Sequence, residues 1–168
     1  MIDTLRLTLV PLTLPQLRLH IADSHQLERA MGLKTGPRDV AEPLLSIIRH
    51  YTIPRLQDPA NDPLYHTIWV GIDRERQQIV ADAKFKGEPD ETGTVEIGYG
   101  TYPARQRKGY MTEMVGGLVD WARTQPDIRR ITADTHCENV ASQRVLEKND
   151  FHLFDRLEEM LWWERVLR

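Results

Sequence analysis

A single cysteine, Cys137, is all the thiol chemistry this chain carries, which excludes an internal disulfide framework and fits a reducing compartment. Long apolar runs are also missing: no stretch approaches the ~18 residues needed to span a bilayer, and the N-terminus alternates apolar and polar residues. The six histidines form no HExxH or Cys/His ligand pattern, so no metal is expected. A basic excess is absent too, because the formal net charge is -3, and a general nucleic-acid binder is thereby excluded. What remains is a chain of 168 residues, 40% hydrophobic, long enough for one packed domain and short for two. The expectation is a single domain over 1–168, cytoplasmic, with no membrane partner.

Leu5, Leu7 and Leu9 alternate with polar residues and predict an opening strand that Pro11 ends. A short helix follows from Leu14 or Pro15. Between Asp39 and Leu56 the apolar residues recur at helical spacing, and Pro54 with the polar segment Asp58 to Pro63 closes that unit as a loop. Strands are expected over Thr67 to Ile72, Gln78 to Phe85, Thr94 to Tyr102 and Arg130 to Thr135. A hairpin-like pair follows over Phe151 to Asp155 and Met160 to Val166. Helices are expected over Lys108 to Thr124 and Asn139 to Asn149. Gly116-Gly117 weakens the first of these by about 1 kcal/mol per glycine, a cost that close packing on a sheet would explain.

The most informative stretch is Gln106-Arg107-Lys108-Gly109-Tyr110-Met111-Thr112, which follows a strand and opens a helix. Glycine lets the backbone approach an anion, and a helix N-terminus offers unpaired N–H donors with a favourable dipole. Upstream stand Glu96-Ile97-Gly98-Tyr99 and Pro103; downstream stand Asn139-Val140-Ala141-Ser142, Val145 to Lys148, and Phe151. Together these motifs resemble the GNAT acetyltransferases, in particular the RimJ/RimL-type branch that acetylates protein N-termini and other amines. The resemblance departs at Met111, where the family has a small residue, at Asp150, where it has glycine, and at Leu146, where many relatives have tyrosine. It implies an α/β fold, a mixed and mostly antiparallel twisted sheet of about six to seven strands with about four helices on both faces.

It also implies acetyl-coenzyme A as co-substrate and a primary amine as acceptor, joined by direct attack in a ternary complex. Backbone N–H groups of Arg107, Lys108, Gly109, Tyr110, Met111 and Thr112, with Gln106, would bind the pyrophosphate. Gly100, Thr101 and Tyr102 would hold the pantetheine arm where two strands part, and Asn139 would contact it or cap its helix. Arg105, Arg107 and Lys108 would add charge there, or be ordinary loop cations. Glu96, a carboxylate in an apolar strand, is the candidate base, although the same position suits an ion pair with arginine. Ser142 is the candidate proton donor to the leaving thiolate. Cys137 and His136 are read as packing and an exposed strand end.

The acceptor region would comprise the first helices, the loop after Pro54 and the last hairpin, with His20, His25, Tyr51, His66, Trp162 and Trp163 as candidates. Glu158-Glu159 and the Asp58 to Asp62 segment favour a cationic amine. The C-terminal strand with its two tryptophans could pair across a homodimer. The alternative from another class is a silent acyl-coenzyme A-binding module. A P-loop nucleotide hydrolase is set aside because GxxxxGK[ST] is absent.

Overall fold

A computed structural model describes residues 1–22 and 25–168. The strands are β1 (Ile2–Asp3), β2 (Leu7–Pro11), β3 (Trp69–Asp73), β4 (Gln78–Phe85), β5 (Thr94–Thr101), β6 (Arg130–His136), β7 (His152–Leu157) and β8 (Met160–Val166). They form one 8-stranded sheet in the order β1-β2-β3-β4-β5-β6-β8-β7, antiparallel except where β5 meets β6. The strand beyond the expected number is β1, two residues too short to leave an alternation signal.

The helices are α1 (Leu14–His20), α2 (Gln26–Ala30), α3 (Leu44–Ile47), α4 (Ile53–Gln57), α5 (Pro63–His66), α6 (Tyr110–Thr124) and α7 (Val140–Glu147). The unit expected from Asp39 begins only at Leu44 and runs on to Gln57, so Pro54 does not end it. Proline has no N–H to return to the preceding turn, and a π-helical turn over Ile48–Thr52 joins α3 to α4 just before it.

Two cores result. Met114, Val115, Leu118 and Val119 of α6 pack with Leu7, Leu9, Phe85 and Ile97 on one face of the sheet. Leu17, Leu27, Ile48, Ile68, Ile79 and Tyr102 close the other. A Cβ on Gly117 would lie 2.8 Å from both Leu9 Cδ1 and Thr4 Cγ2, so the glycine lets α6 approach the sheet. Asp150 adopts φ 55°, the left-handed turn that glycine would have supplied.

The reading of the C-terminal strand as a dimer edge is corrected by the topology. β8 lies between β6 and β7, so its two tryptophans sit on a strand with both edges hydrogen-bonded. The edge is β7, with Leu153, Phe154 and Leu157 exposed. Among the described residues no helix is long and apolar enough to cross a membrane, and no group of three His, Cys, Asp or Glu converges as metal ligands.

Candidate active site

β5 and β6 pair only from Thr94 to Glu96 against Arg130 to Thr132, and beyond that point no ladder joins them. A groove of ≈570 Å³ lies beside the rest of β5, walled by Tyr99, Gly100 and Thr101, by residues 105–112, and by residues 139–142 at the start of α7. The loop reaches it through two left-handed residues, Arg107 at φ 61° and Gly109 at φ 76°. Gly109 caps α6 with no side-chain hydrogen bond, and first-turn N–H groups have no carbonyl within their own helix to bond. Donors and the positive end of a 15-residue helix therefore line the groove together, an anion site by construction.

Met111 turns its side chain into the core, leaving its backbone in the groove wall, and so the missing small residue does not fill the cradle. Tyr110 is also buried, its phenol donating to Asp73 Oδ2 at 2.6 Å. Arg6 braces the loop from outside. Its Nη1 donates to the Lys108 carbonyl at 2.9 Å, its Nε pairs with Glu113 at 2.7 Å, and its guanidinium lies 5.0 Å from the Tyr110 ring centroid. Gln106, Arg107 and Lys108 are exposed along the rim. Arg105 is not a loop cation of that kind: it is buried and donates to Gln78 Oε1 at 2.6 Å. The Tyr102 side chain turns from the groove into the opposite core and donates to Asp82 Oδ2 at 2.6 Å, which leaves the expected role at this strand end to its backbone.

On the α7 side, Asn139 Oδ1 accepts from the Ser142 N–H at 3.1 Å, so Asn139 caps the helix while lining the groove. The Ser142 hydroxyl donates to the Tyr99 oxygen at 2.9 Å, and that phenol lies 3.1 Å from the Ser142 carbonyl it donates to. Tyr99 was not a sequence candidate. Burial pushes its phenol up to about 12, so it keeps its proton at neutral pH. Leu146, at the family's tyrosine position, lies wholly in the core.

A second cleft, ≈500 Å³, shares Tyr99 and Gly100 with the groove and is walled by Leu44, Ile47, Tyr51, Ile68 and the β4 residues 82–84. Of the aromatic and histidine candidates for acceptor binding, only Tyr51 reaches it, and no residue of 58–62 or 158–159 does. Its charged residues are Asp82, Lys84 and Lys86, none of which the sequence reading singled out.

Glu96 is half-buried on β5 and is bound by Lys86 Nζ, which also lies 2.6 Å from Asp134 Oδ1. Burial raises its carboxyl above the usual range despite the pull of Lys86, with Asp134 pushing in the same direction as burial. The cation that meets it is therefore a lysine, not the arginine weighed from sequence. His136 Nε2 is 3.1 Å from Glu159, and Cys137 packs on the core, with neither lining either cavity.

An anion-binding helix end, a parted strand pair and a second cleft meeting it at Tyr99 and Gly100 define a two-substrate transferase whose donor carries phosphate. The acetyltransferase (GNAT) domain model matches residues 6–152, and the chain belongs to that family. It is 29% identical over 168 residues to the uncharacterized N-acetyltransferase YjdG of Bacillus subtilis, covering 100% of this chain and 99% of that one. Among solved structures, a GNAT-family acetyltransferase from Bacillus anthracis superposes with a TM-score of 0.66 at 16% identity, covering 99% of this chain and 98% of that one. Spermidine N-acetyltransferase from Vibrio cholerae, in complex with CoA and spermine, gives 0.66 at 15% identity, with 96% of each chain covered. The fold is thus the mixed α/β fold of the family, and the chain is an acetyl-CoA-dependent N-acetyltransferase by class.

Proposed function

We propose that this enzyme acetylates a primary amine by direct attack in a ternary complex, with the groove holding acetyl-CoA and the second cleft holding the acceptor. The observation that carries the reading is the junction of the two cavities at Tyr99 and Gly100, beside the open end of the β5–β6 pair. The pyrophosphate lies on the N–H groups of residues 107–112, with Gln106 at the rim. The pantetheine arm runs along the Gly100-Thr101-Tyr102 backbone and against Asn139. The amine nitrogen attacks the thioester carbonyl, the carbon–sulfur bond breaks, and the proton lost by nitrogen reaches Glu96 through a water relay. The thiolate takes its proton from the Tyr99–Ser142 pair, whose two hydroxyls are 2.9 Å apart. The RimJ/RimL-type motifs support this branch of the family, and the lone free cysteine supports a cytoplasmic setting.

Calorimetric titration with acetyl-CoA, followed by thiol release against a mixed panel of amines and peptides, tests the reading. Binding with amine-dependent release is expected. Binding without release for every amine would leave a silent acyl-CoA-binding domain, and absence of binding would show that the loop does not hold a pyrophosphate.

Tyr99→Phe should lower kcat by roughly tenfold with little change in either KM. That is less than the 10²–10⁴ of an obligatory general acid, because a thiol of pKa ~8.5 leaves without much help. Steady-state kinetics on Tyr99→Phe and Ser142→Ala would check it; two wild-type kcat values would remove the pair from proton transfer.

A further inference from the structure

β4 and β5 run antiparallel in a register that opposes Asp82 to Gly100 and Lys84 to Gly98. Asp82 and Lys84, two residues apart on one strand, point to the same face, and their α-carbons are about 6.6 Å apart. Opposite them the residues are glycines with no side chains of their own. A Cβ on Gly100 would sit 3.7 Å from Asp82 Oδ1, and one on Gly98 would sit 3.4 Å from Lys86 Cε. Gly100 keeps the floor of the cleft open in front of Asp82, while the Lys86 side chain lies over Gly98.

Neither charge is satisfied by the other, because no ion pair within 4 Å joins Asp82 to Lys84 among the described residues. Among the described residues Asp82 has one hydrogen-bond partner, the Tyr102 hydroxyl on Oδ2, and it is 5% exposed. Burial pushes its carboxyl up to about 6, against the Tyr102 hydrogen bond and the Arg38 charge. Lys84 is 9% exposed, its Nζ 3.5 Å from Thr52 Oγ1 and 5.0 Å from the Tyr51 ring centroid, and among the described residues it forms no ion pair with a carboxylate. Lys86 next to it is already held by Glu96 and Asp134. A carboxyl held by one hydroxyl and an ammonium with no carboxylate beside it are costly to keep charged in an apolar cleft, burial pushes both toward their neutral forms, and a ligand that met both would offset that cost.

We infer that the acceptor is a zwitterion, an amine that also carries a carboxylate on a compact apolar body. Asp82 takes the ammonium, Lys84 takes the carboxylate, and Leu44, Ile47 and Ile68 enclose the apolar part. Asp82 is here an anchor that seats the nitrogen beside Gly100, with Glu96 about 13 Å along β5 and reached only through the water relay, so Asp82 acts on acceptor binding and not on the chemical step. Polyamines and other polycations fit poorly, since Lys84 would face a second positive charge. The inference rests on the acetyl-transfer reading for its kinetics, and it names the acceptor class for that same cleft.

The test compares three matched probes, leucine, leucinamide and isoamylamine, with spermidine as the polycation. kcat/KM for each is measured by thiol release, and the binding of each to the CoA-saturated protein is measured by calorimetry. Leucine should exceed leucinamide and isoamylamine by roughly 10- to 100-fold, the worth of one charge-assisted hydrogen bond. Lys84→Met, similar in volume, should bring the leucine-to-leucinamide ratio close to one. Asp82→Asn should raise KM for all three amines while leaving kcat and the acid limb of its pH profile in place. Equal use of leucine and leucinamide, a preference for spermidine, or an unchanged ratio in Lys84→Met would overturn the proposal. Selective, Lys84-dependent binding of leucine without any turnover would sustain the acceptor class while defeating acetyl transfer. Binding of none of the probes would defeat the acceptor class, whatever the enzyme does with other amines.

Discussion

Glu96→Gln should lower kcat by roughly 10²–10⁴-fold at neutral pH while acetyl-CoA binding stays unchanged. An alkylammonium has a pKa near ~10.4, so its proton must be removed before nitrogen can attack, and a carboxamide cannot accept it. Glu96 suits the task because burial raises its carboxyl above the usual carboxylate range, with Asp134 assisting and Lys86 opposing. The sign follows directly. Activity is present above the Glu96 pKa and is lost as pH falls through it, so the wild-type acid limb should lie above that of an ordinary glutamate, and the variant should lose that limb. The phosphate loop is built from α6, Arg6 and Asp73, none of which touches Glu96, which is why donor affinity should survive. In the variant Lys86 keeps Asp134 as partner, so the strands should hold together. A kcat and pH profile equal to wild type would remove Glu96 from the chemistry and make Asp82 the carboxylate to examine.

Much of this site was legible because its residues leave local marks. Gly109 before a helix and Asn139 ahead of a helix follow from backbone requirements that act within a few residues, and both line the groove; Glu96, marked by the cost of a carboxylate in an apolar strand, lines neither cavity. The rule that marked Glu96 applies equally to Asp82 in Gln78 to Phe85, where a carboxylate also interrupts an apolar run. Read alone, that strand could have presented Asp82 to solvent; only its register against Gly100 shows that the cleft receives it. Tyr99 was hidden for a related reason. It reads as a core aromatic of β5, and its contact with Ser142 spans 43 residues. The faces taken by the Tyr102 and Arg105 side chains were not legible, because proximity in sequence to the phosphate loop says nothing about which way a side chain turns where the strand gives way to a 3-10 turn at Pro103–Arg105. The helix broken at Ile48–Thr52 kept its apolar period through the π turn, so the sequence pattern concealed the break.

The largest stability effect should come from a pair outside both cavities. Arg38 grips Glu28 in a two-point contact, Nε to Oε1 at 2.7 Å and Nη2 to Oε2 at 2.9 Å, with both side chains almost wholly buried. Its third nitrogen, Nη1, donates to the His20 carbonyl at 2.9 Å and lies 3.1 Å from His20 Nδ1. Burial, followed by the Arg38 charge, lowers His20 to about 3, so the ring is neutral and cannot replace either partner. Glu28→Gln should therefore cost about 3–5 kcal/mol, since it leaves a buried guanidinium uncompensated. Burial opposes ionisation of Glu28, but the Arg38 hydrogen bonds and charge outweigh it and hold the carboxyl down at about 2. A depressed carboxylate stabilises the fold above its unfolded pKa, near 4.5, and that contribution is lost as pH falls toward 2. Thermal melting against pH should show this acid-side loss in the wild type and a much flatter dependence in the variant. Arg38→Met should be destabilising as well, and it carries a second consequence. Arg38 is the cation that lowers the buried Asp82 carboxyl, so its removal should raise Asp82 further and weaken amine binding near neutral pH. Equal melting temperatures across pH for wild type and Glu28→Gln would mean that the pair contributes nothing net. An unaltered amine KM in Arg38→Met would break the electrostatic link between this pair and the acceptor cleft.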